Sequence, residues 1–226
     1  GRDIRRTSFQ SEELARLFMQ LYERRLVRGL FLSSAVAGSP SRTMEAMIKT
    51  VEILRYRYEF KGYVHLKILP GASLDCVEEG SKLASRVSVN MEAPTIRHLA
   101  RLSSKKDLYQ GIITPMRWVK RLMATDERLV PSGQTTQFVV GAAGETDREL
   151  LSTTAALYHE IALRRVYFSP FRPITNSPLE GWPATPPLRA HRLYQTDWLL
   201  RVYGFPSQEV ELALGEQGNL SLRKDP

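Results

Sequence analysis

The chain has 226 residues, a single cysteine and a formal net charge of +8, from 32 Lys and Arg against 24 Asp and Glu. Its 42% hydrophobic and 25% charged composition excludes collagen-like, disordered and low-complexity classes. One cysteine excludes an internal disulfide framework and a multi-thiolate metal site built from this chain alone. No apolar run approaches the roughly 20 residues of a membrane span, and Gly1-Arg2-Asp3-Ile4-Arg5-Arg6 is too polar for a signal peptide. No membrane association and a cytoplasmic location are therefore expected. Arg supplies 24 of the basic residues, and residues 95–128 hold eight basic against three acidic side chains. Such a surface suits nucleic acid or another polyanion, or is simply the solvated face of an Arg-rich protein.

In chain order, Leu14, Leu17, Phe18 and Leu21 predict a helix over 11–28, stopped by Gly29. Leu30–Val36 reads as a strand and Gly38-Ser39-Pro40-Ser41 as a loop. Met44, Met47, Ile48, Val51 and Leu54 predict a helix over 43–60. Tyr63–Leu69 is a strand closed by Pro70-Gly71. Ser73 caps a short helix to Ala84, and Arg86–Glu92 is a strand. Residues 95–126 read as helices broken near Gly111, with Thr114-Pro115 as an N-cap and first helical position. Thr135–Gly141 is a strand. Thr146-Asp147-Arg148-Glu149 is a capping box opening a helix to Leu163, and Arg165–Ser169 is the last strand. Residues 170–187 hold six prolines and read as an extended arm. Helices over 188–203 and 206–214 follow, punctuated by Gly204 and Pro206.

Strands separated by helical sequence predict an α/β fold with a parallel sheet or barrel. The expected organisation is a barrel core over 1–169, the arm over 170–187 and a helical extension over 188–226. Side chains alternate along strands. Val64, Leu66 and Ile68 oppose Tyr63, His65 and Lys67. Val87, Val89 and Met91 oppose Arg86, Ser88, Asn90 and Glu92. Val166 and Phe168 oppose Arg165, Tyr167 and Ser169. If helices cover the apolar face, the polar face lines an interior for a polar small molecule, with chemistry at the C-terminal strand ends. A wet antiparallel sheet is the competing reading. Phe138–Thr146 is the sharpest local signal, since its glycines allow close backbone approach and Thr146 opens a helix with free N–H groups.

Phe-Val-Val-Gly-Ala-Ala-Gly-Glu-Thr at 138–146, Asn90-Met91-Glu92, Ser33-Ser34 and His191–Trp198 resemble the radical S-adenosylmethionine (SAM) superfamily, and in it the DNA modification/repair radical SAM proteins. The resemblance implies a partial (β/α)6 TIM-like barrel, strands two to six present, with a C-terminal helical arm. It implies SAM contacts from Ser33, Ser34, Lys67, Asn90, Glu92, Gly141, Gly144, Glu145, Thr146 and Ser169. The usual strand-five turn carries Leu-Pro where this chain has Ala142-Ala143. The Cys-x3-Cys-x2-Cys signature that holds a [4Fe–4S] cluster is absent; the resemblance places it upstream of Gly1, so the chain reads as a fragment inactive by itself. It further implies an electron donor for the cluster and DNA as substrate, with Arg117, Lys120, Arg121, Arg189, Arg192 and Arg201 as candidate phosphate contacts.

For each residue a plainer role stands beside this one. Cys76 reads as a buried inert thiol. His65 is a ligand contact or a satisfied interior histidine. Glu145 is a SAM contact or a brace of the turn. Lys67 and Arg86 meet a carboxylate of SAM or of Glu92, and Ser33 and Ser34 bind the methionine end or make an ordinary turn. No His pair has metal-ligand spacing. A non-catalytic nucleic-acid-binding α/β barrel is the alternative function. A phosphate-binding barrel enzyme is a third, without any G-x-x-x-x-G-K-[ST] pattern to support it.

Overall fold

The structure is a computed structural model, and it describes residues 8–226. Five strands occur among them: β1 (Gly29–Leu32), β2 (Tyr63–Lys67), β3 (Arg86–Ser88), β4 (Gln134–Val140) and β5 (Arg165–Pro170). They form one sheet in the order β1-β2-β3-β4-β5. The β1–β2, β2–β3 and β3–β4 pairings are parallel. Helices intervene between all consecutive strands: α2 (Pro40–Glu52), α3 (Leu74–Leu83), α4 (Ile96–Leu102) with α5 (Thr114–Thr125), and α6 (Asp147–Ile161). This is the α/β arrangement expected from the sequence, and its neighbour-to-neighbour order is that of a partial TIM-like barrel. Helix α1 (Ser11–Glu23) precedes the sheet; α7 (Pro187–Trp198) and α8 (Ser207–Glu211) follow it. Phe171 to Pro186 holds neither helix nor strand.

The elements are shorter than the periodicity predicts, for local reasons. Helix α1 stops at Glu23 rather than 28 because Arg25 enters the left-handed region at φ 58. Strand β1 stops at Leu32 rather than Val36. Beyond it the Ala37 N–H donates to the Thr43 hydroxyl at 2.9 Å, and Thr43 sits in α2, whose start at Pro40 is capped by Ser39. Thr114 is not an N-cap: it is entered from a π-helical turn over Tyr109–Ile113, with Ile113 already helical at φ −67 and ψ −39. Further π-helical turns, Ile53–Arg57 and Leu199–Tyr203, extend α2 and α7.

The chain forms two compact units. The described part of the first comprises residues 8–89 and 109–135. In it Val64, Leu66, Ile68, Val87 and Val89 are fully buried, as are Met44 and Val51 of α2, Val77 of α3, and Met116 and Val119 of α5. Gly80 of α3 lies so close to Leu66 that a Cβ there would come within 2.9 Å of its side chain. The apolar face of β2 and β3 is therefore the helix-covered one. Each such aliphatic side chain contributes about 1.5–3 kcal/mol of burial.

The second unit comprises residues 90–108 and 136–226 among those described. Phe138 and Phe168 stack at 6.2 Å between ring centroids, and Tyr194 of α7 meets Phe168 edge-on at 5.4 Å. Leu150 and Leu157 of α6 and Leu193 of α7 are buried with them. Tyr158 donates to Asp197, and burial followed by the Asp197 charge pushes its phenol well above the usual range.

Candidate functional site

In the second unit, the exit of β4 is a turn built from its own backbone and one carboxylate. Gly141 (φ 84) and Gly144 (φ 72) take left-handed conformations. Glu145, 4% exposed, accepts hydrogen bonds from the Gly141 N–H and, at 3.1 Å, from the Ala143 N–H. Its carboxylate thus faces the turn itself. Thr146 and Glu149 form the expected capping box, with the Thr146 N–H donating to Glu149 at 2.8 Å. Burial raises the Glu149 carboxyl, but the Thr146 N–H and hydroxyl, His98 and Arg97 outweigh it and hold it below the usual range.

Two guanidinium groups fix this turn from outside it. Arg101 donates to the Ala143 carbonyl at 2.7 Å. Arg189 donates to Asp147 at 2.8 Å and to the Glu145 carbonyl at 2.8 Å. A buried ion pair of this kind is costly to break, because the remaining charge loses its partner.

Asn90 and Glu92 leave β3's line to approach β4. The Glu92 N–H donates to the Gln137 carbonyl at 2.9 Å, and the Val139 N–H donates to the Glu92 carbonyl at 2.8 Å. Glu92 has φ 64, a left-handed conformation that turns the chain out of the strand predicted to reach it. Its carboxylate pairs with Lys106 at 3.1 Å. Asn90 is 8% exposed, and its side-chain amide makes no hydrogen bond among the described residues.

A cavity of about 340 Å³ opens between these parts, within the size range of small-molecule sites. Its apolar walls include Leu99, Leu102, Val139, Ala142 and Phe171, and its polar groups are Glu92, Lys106 and Ser103. A second cavity of about 550 Å³ shares Val139 and Phe171 and adds Ser169, Pro170, Arg172 and Ile174. The structure therefore brings Glu92, the Gly141–Thr146 turn and Ser169 into one neighbourhood. Lys106, Arg101, Ser103 and Phe171 belong to it as well, and no motif marked them.

Ser33, Ser34 and Lys67 belong to the first unit. Both serines are exposed, and the Ser34 hydroxyl donates to the Ala35 carbonyl at 2.8 Å. Lys67 ends β2 and has no ion pair among the described residues. Of the basic candidates, Arg117, Lys120 and Arg121 lie exposed on α5. Arg189 pairs as above, Arg192 with Asp225 and Gln195, and Arg201 with Asp197 at 3.2 Å.

Cys76 is 6% exposed and lies on α3, with its thiol 3.9 Å from the Ser41 carbonyl. Among the described residues no group of three or more His, Cys, Asp or Glu side chains could hold a metal ion. They do not fit an iron–sulfur cluster. An adenosyl group fits better, because the 340 Å³ cavity pairs apolar walls with a carboxylate acceptor.

No family model matches the sequence, and no curated protein does. Among solved structures, the chain is similar to HydG, described as a maturase of the [FeFe]-hydrogenase, with a TM-score of 0.61 at 11% identity over 88% of this chain. The likeness is one of fold. The chain spans 44% of HydG's length. The 340 Å³ cavity lies where the strand ends of the second unit meet the turn into α6. No described helix is long and apolar enough to cross a membrane.

Proposed function

We propose that this chain is the SAM-binding portion of a radical SAM enzyme, with the adenosyl half of SAM in the 340 Å³ cavity of the second unit. The observation that carries the reading is the pairing of that cavity with Glu92, on a fold similar to HydG. Leu99, Val139, Ala142 and Phe171 offer apolar surface to the purine. Glu92 accepts from the ribose hydroxyls, whereas Asn90, two residues earlier, does not line the cavity. Lys106, 3.1 Å away, orients the Glu92 carboxylate. Glu145 holds the turn through Gly141 and Ala143, so its role is to position backbone rather than to touch ligand.

Bound SAM, together with a reduced cluster, supplies hydrogen-abstracting chemistry in this superfamily. This chain's residues bind the nucleoside, orient it and shield it from water. Isothermal titration with SAM tests the reading. Glu92→Gln keeps the shape, removes the charge, and should weaken binding about ten-fold or more. Wild-type chain that takes up no SAM, or a variant that binds as well as wild type, would overturn it.

DNA is the substrate class we assign. It is supported by the +8 charge and by exposed Arg117, Lys120 and Arg121 on α5. The alternative, a non-catalytic nucleic-acid-binding barrel, shares that surface but needs no SAM, so the titration separates the two.

A further inference from the structure

One face of the first unit's sheet is polar, cationic and short of partners. Strand register places Phe31 beside His65, and His65 beside Arg86. It places Lys67 beside Ser88, and Ser88 beside Thr135. These residues share the face opposite Leu66, the one covered by α3. Adjacent strands lie about 4.8 Å apart and same-face neighbours along a strand about 7 Å apart, so the long Lys67 and Arg86 side chains reach the same patch.

Two polar atoms on this face are buried without a partner: His65 Nε2 and Thr135 Oγ1. Thr135 is 1% exposed. An unsatisfied buried polar group is costly, so two in one patch favour binding of a polar group there. The cations are also unneutralised. Arg86 donates Nε and Nη2 to the Ser132 carbonyl at 3.1 and 3.0 Å, which leaves Nη1, and neither it nor Lys67 meets a carboxylate among the described residues. Burial, and then the Arg86 charge, lowers His65 to about 4, so at neutral pH its ring is an uncharged donor or acceptor. Phe31 meets it at a tilt, 4.7 Å between ring centroids, and is 60% exposed, which leaves the edge of the patch reachable.

Two cations with hydroxyl and imidazole donors match a ligand of two negative charges and three oxygens. A phosphate monoester carries about −1.5 to −2 near neutral pH; a carboxylate brings one charge and two oxygens. We infer that the Lys67–Arg86–His65–Thr135 face binds the phosphate group of a phosphomonoester. The site uses no residue of the SAM cavity and stands whether or not that cavity binds SAM.

The test is an NMR titration of the full chain with inorganic phosphate, following the His65 ring protons and the β2 and β3 amides. Acetate and free methionine at matched ionic strength are the controls. Saturable shifts at these positions with phosphate alone are the expected result. Equal shifts with acetate or methionine would overturn the phosphate assignment and return Lys67 to a carboxylate; no saturable shift at all would overturn the site. Lys67→Met should weaken phosphate about ten-fold, and unchanged affinity would also count against the site. Arg86→Lys, which keeps the charge but loses the fork, guards against a variant that fails to fold and should weaken binding less than Lys67→Met. A nucleoside 5′-monophosphate and a 5′-phosphorylated oligonucleotide, titrated separately, tell a small phosphomonoester from a nucleic-acid end. Either one reproducing the phosphate shifts supports the site, and shifts from neither would overturn it.

Discussion

A Cβ added to Gly141 would collide with the Thr185 hydroxyl, which donates to the Val140 carbonyl at 2.8 Å. The same residue has φ 84, where an L side chain is strained. Gly141→Ala should therefore destabilise the chain by about 2–4 kcal/mol, combining strain with overpacking, seen as a lower urea midpoint. His65 makes a second residue-scale prediction. It titrates at about 4 in the folded chain against 6.5 ordinarily. Between those values the unfolded chain binds the extra proton, so stability is full above the upper one and falls as pH drops through the window. Urea unfolding at stepped pH should show that slope in the wild type and a shallower one in His65→Gln. The alternation along β2 told which way His65 points. It did not tell that the ring would be buried without a partner, because that depends on Arg86 and Phe31 from neighbouring strands.

At the scale of elements, helix ends were legible where one side chain does the work. Ser73 and Thr146 accept the hydrogen bonds their cap positions call for, whereas Ser39, read as part of a loop, caps α2 ahead of its expected start. The C-terminus of α6 was less so, since it ends on Ala162 in the left-handed conformation at φ 56 rather than on a glycine. Ala162→Gly should relieve the Cβ penalty and raise stability by about 0.5–1 kcal/mol, read as a higher Tm. An unchanged or lower Tm would mean that the lost methyl contacts outweigh the backbone strain. The three π-helical turns had no sequence signature. They arise where a helix meets its neighbours at a fixed length, and propensity does not encode that length.

For the whole molecule, the net charge of +8 is the broadest property and the least specific. Arg189, Arg192 and Arg201 are paired with carboxylates inside the second unit, whereas Arg117 and Arg121 stand exposed on α5. If α5 carries DNA, affinity should fall steeply with salt, and Arg117→Ala and Arg121→Ala should each reduce the slope of log affinity against log salt by about one. Fluorescence anisotropy with a labelled duplex over a salt series checks this. A flat salt dependence would exclude the electrostatic surface.

The sequence by itself determined the alternation of strands and helices, which strand faces are apolar, and the turn from β4 into α6. These follow from nearest-neighbour chemistry: periods of two and 3.6, glycines where φ is positive, and a hydroxyl three residues before a carboxylate. Only the tertiary structure decided what each polar residue does. Glu92 meets Lys106 across 14 residues, Arg101 meets Ala143 across 42, and Arg189 meets Asp147 across 42. No local pattern encodes a partner at such distances. For Asp147, which is 1% exposed, burial made the choice, because a charge withdrawn from water needs the nearest opposite charge the fold provides.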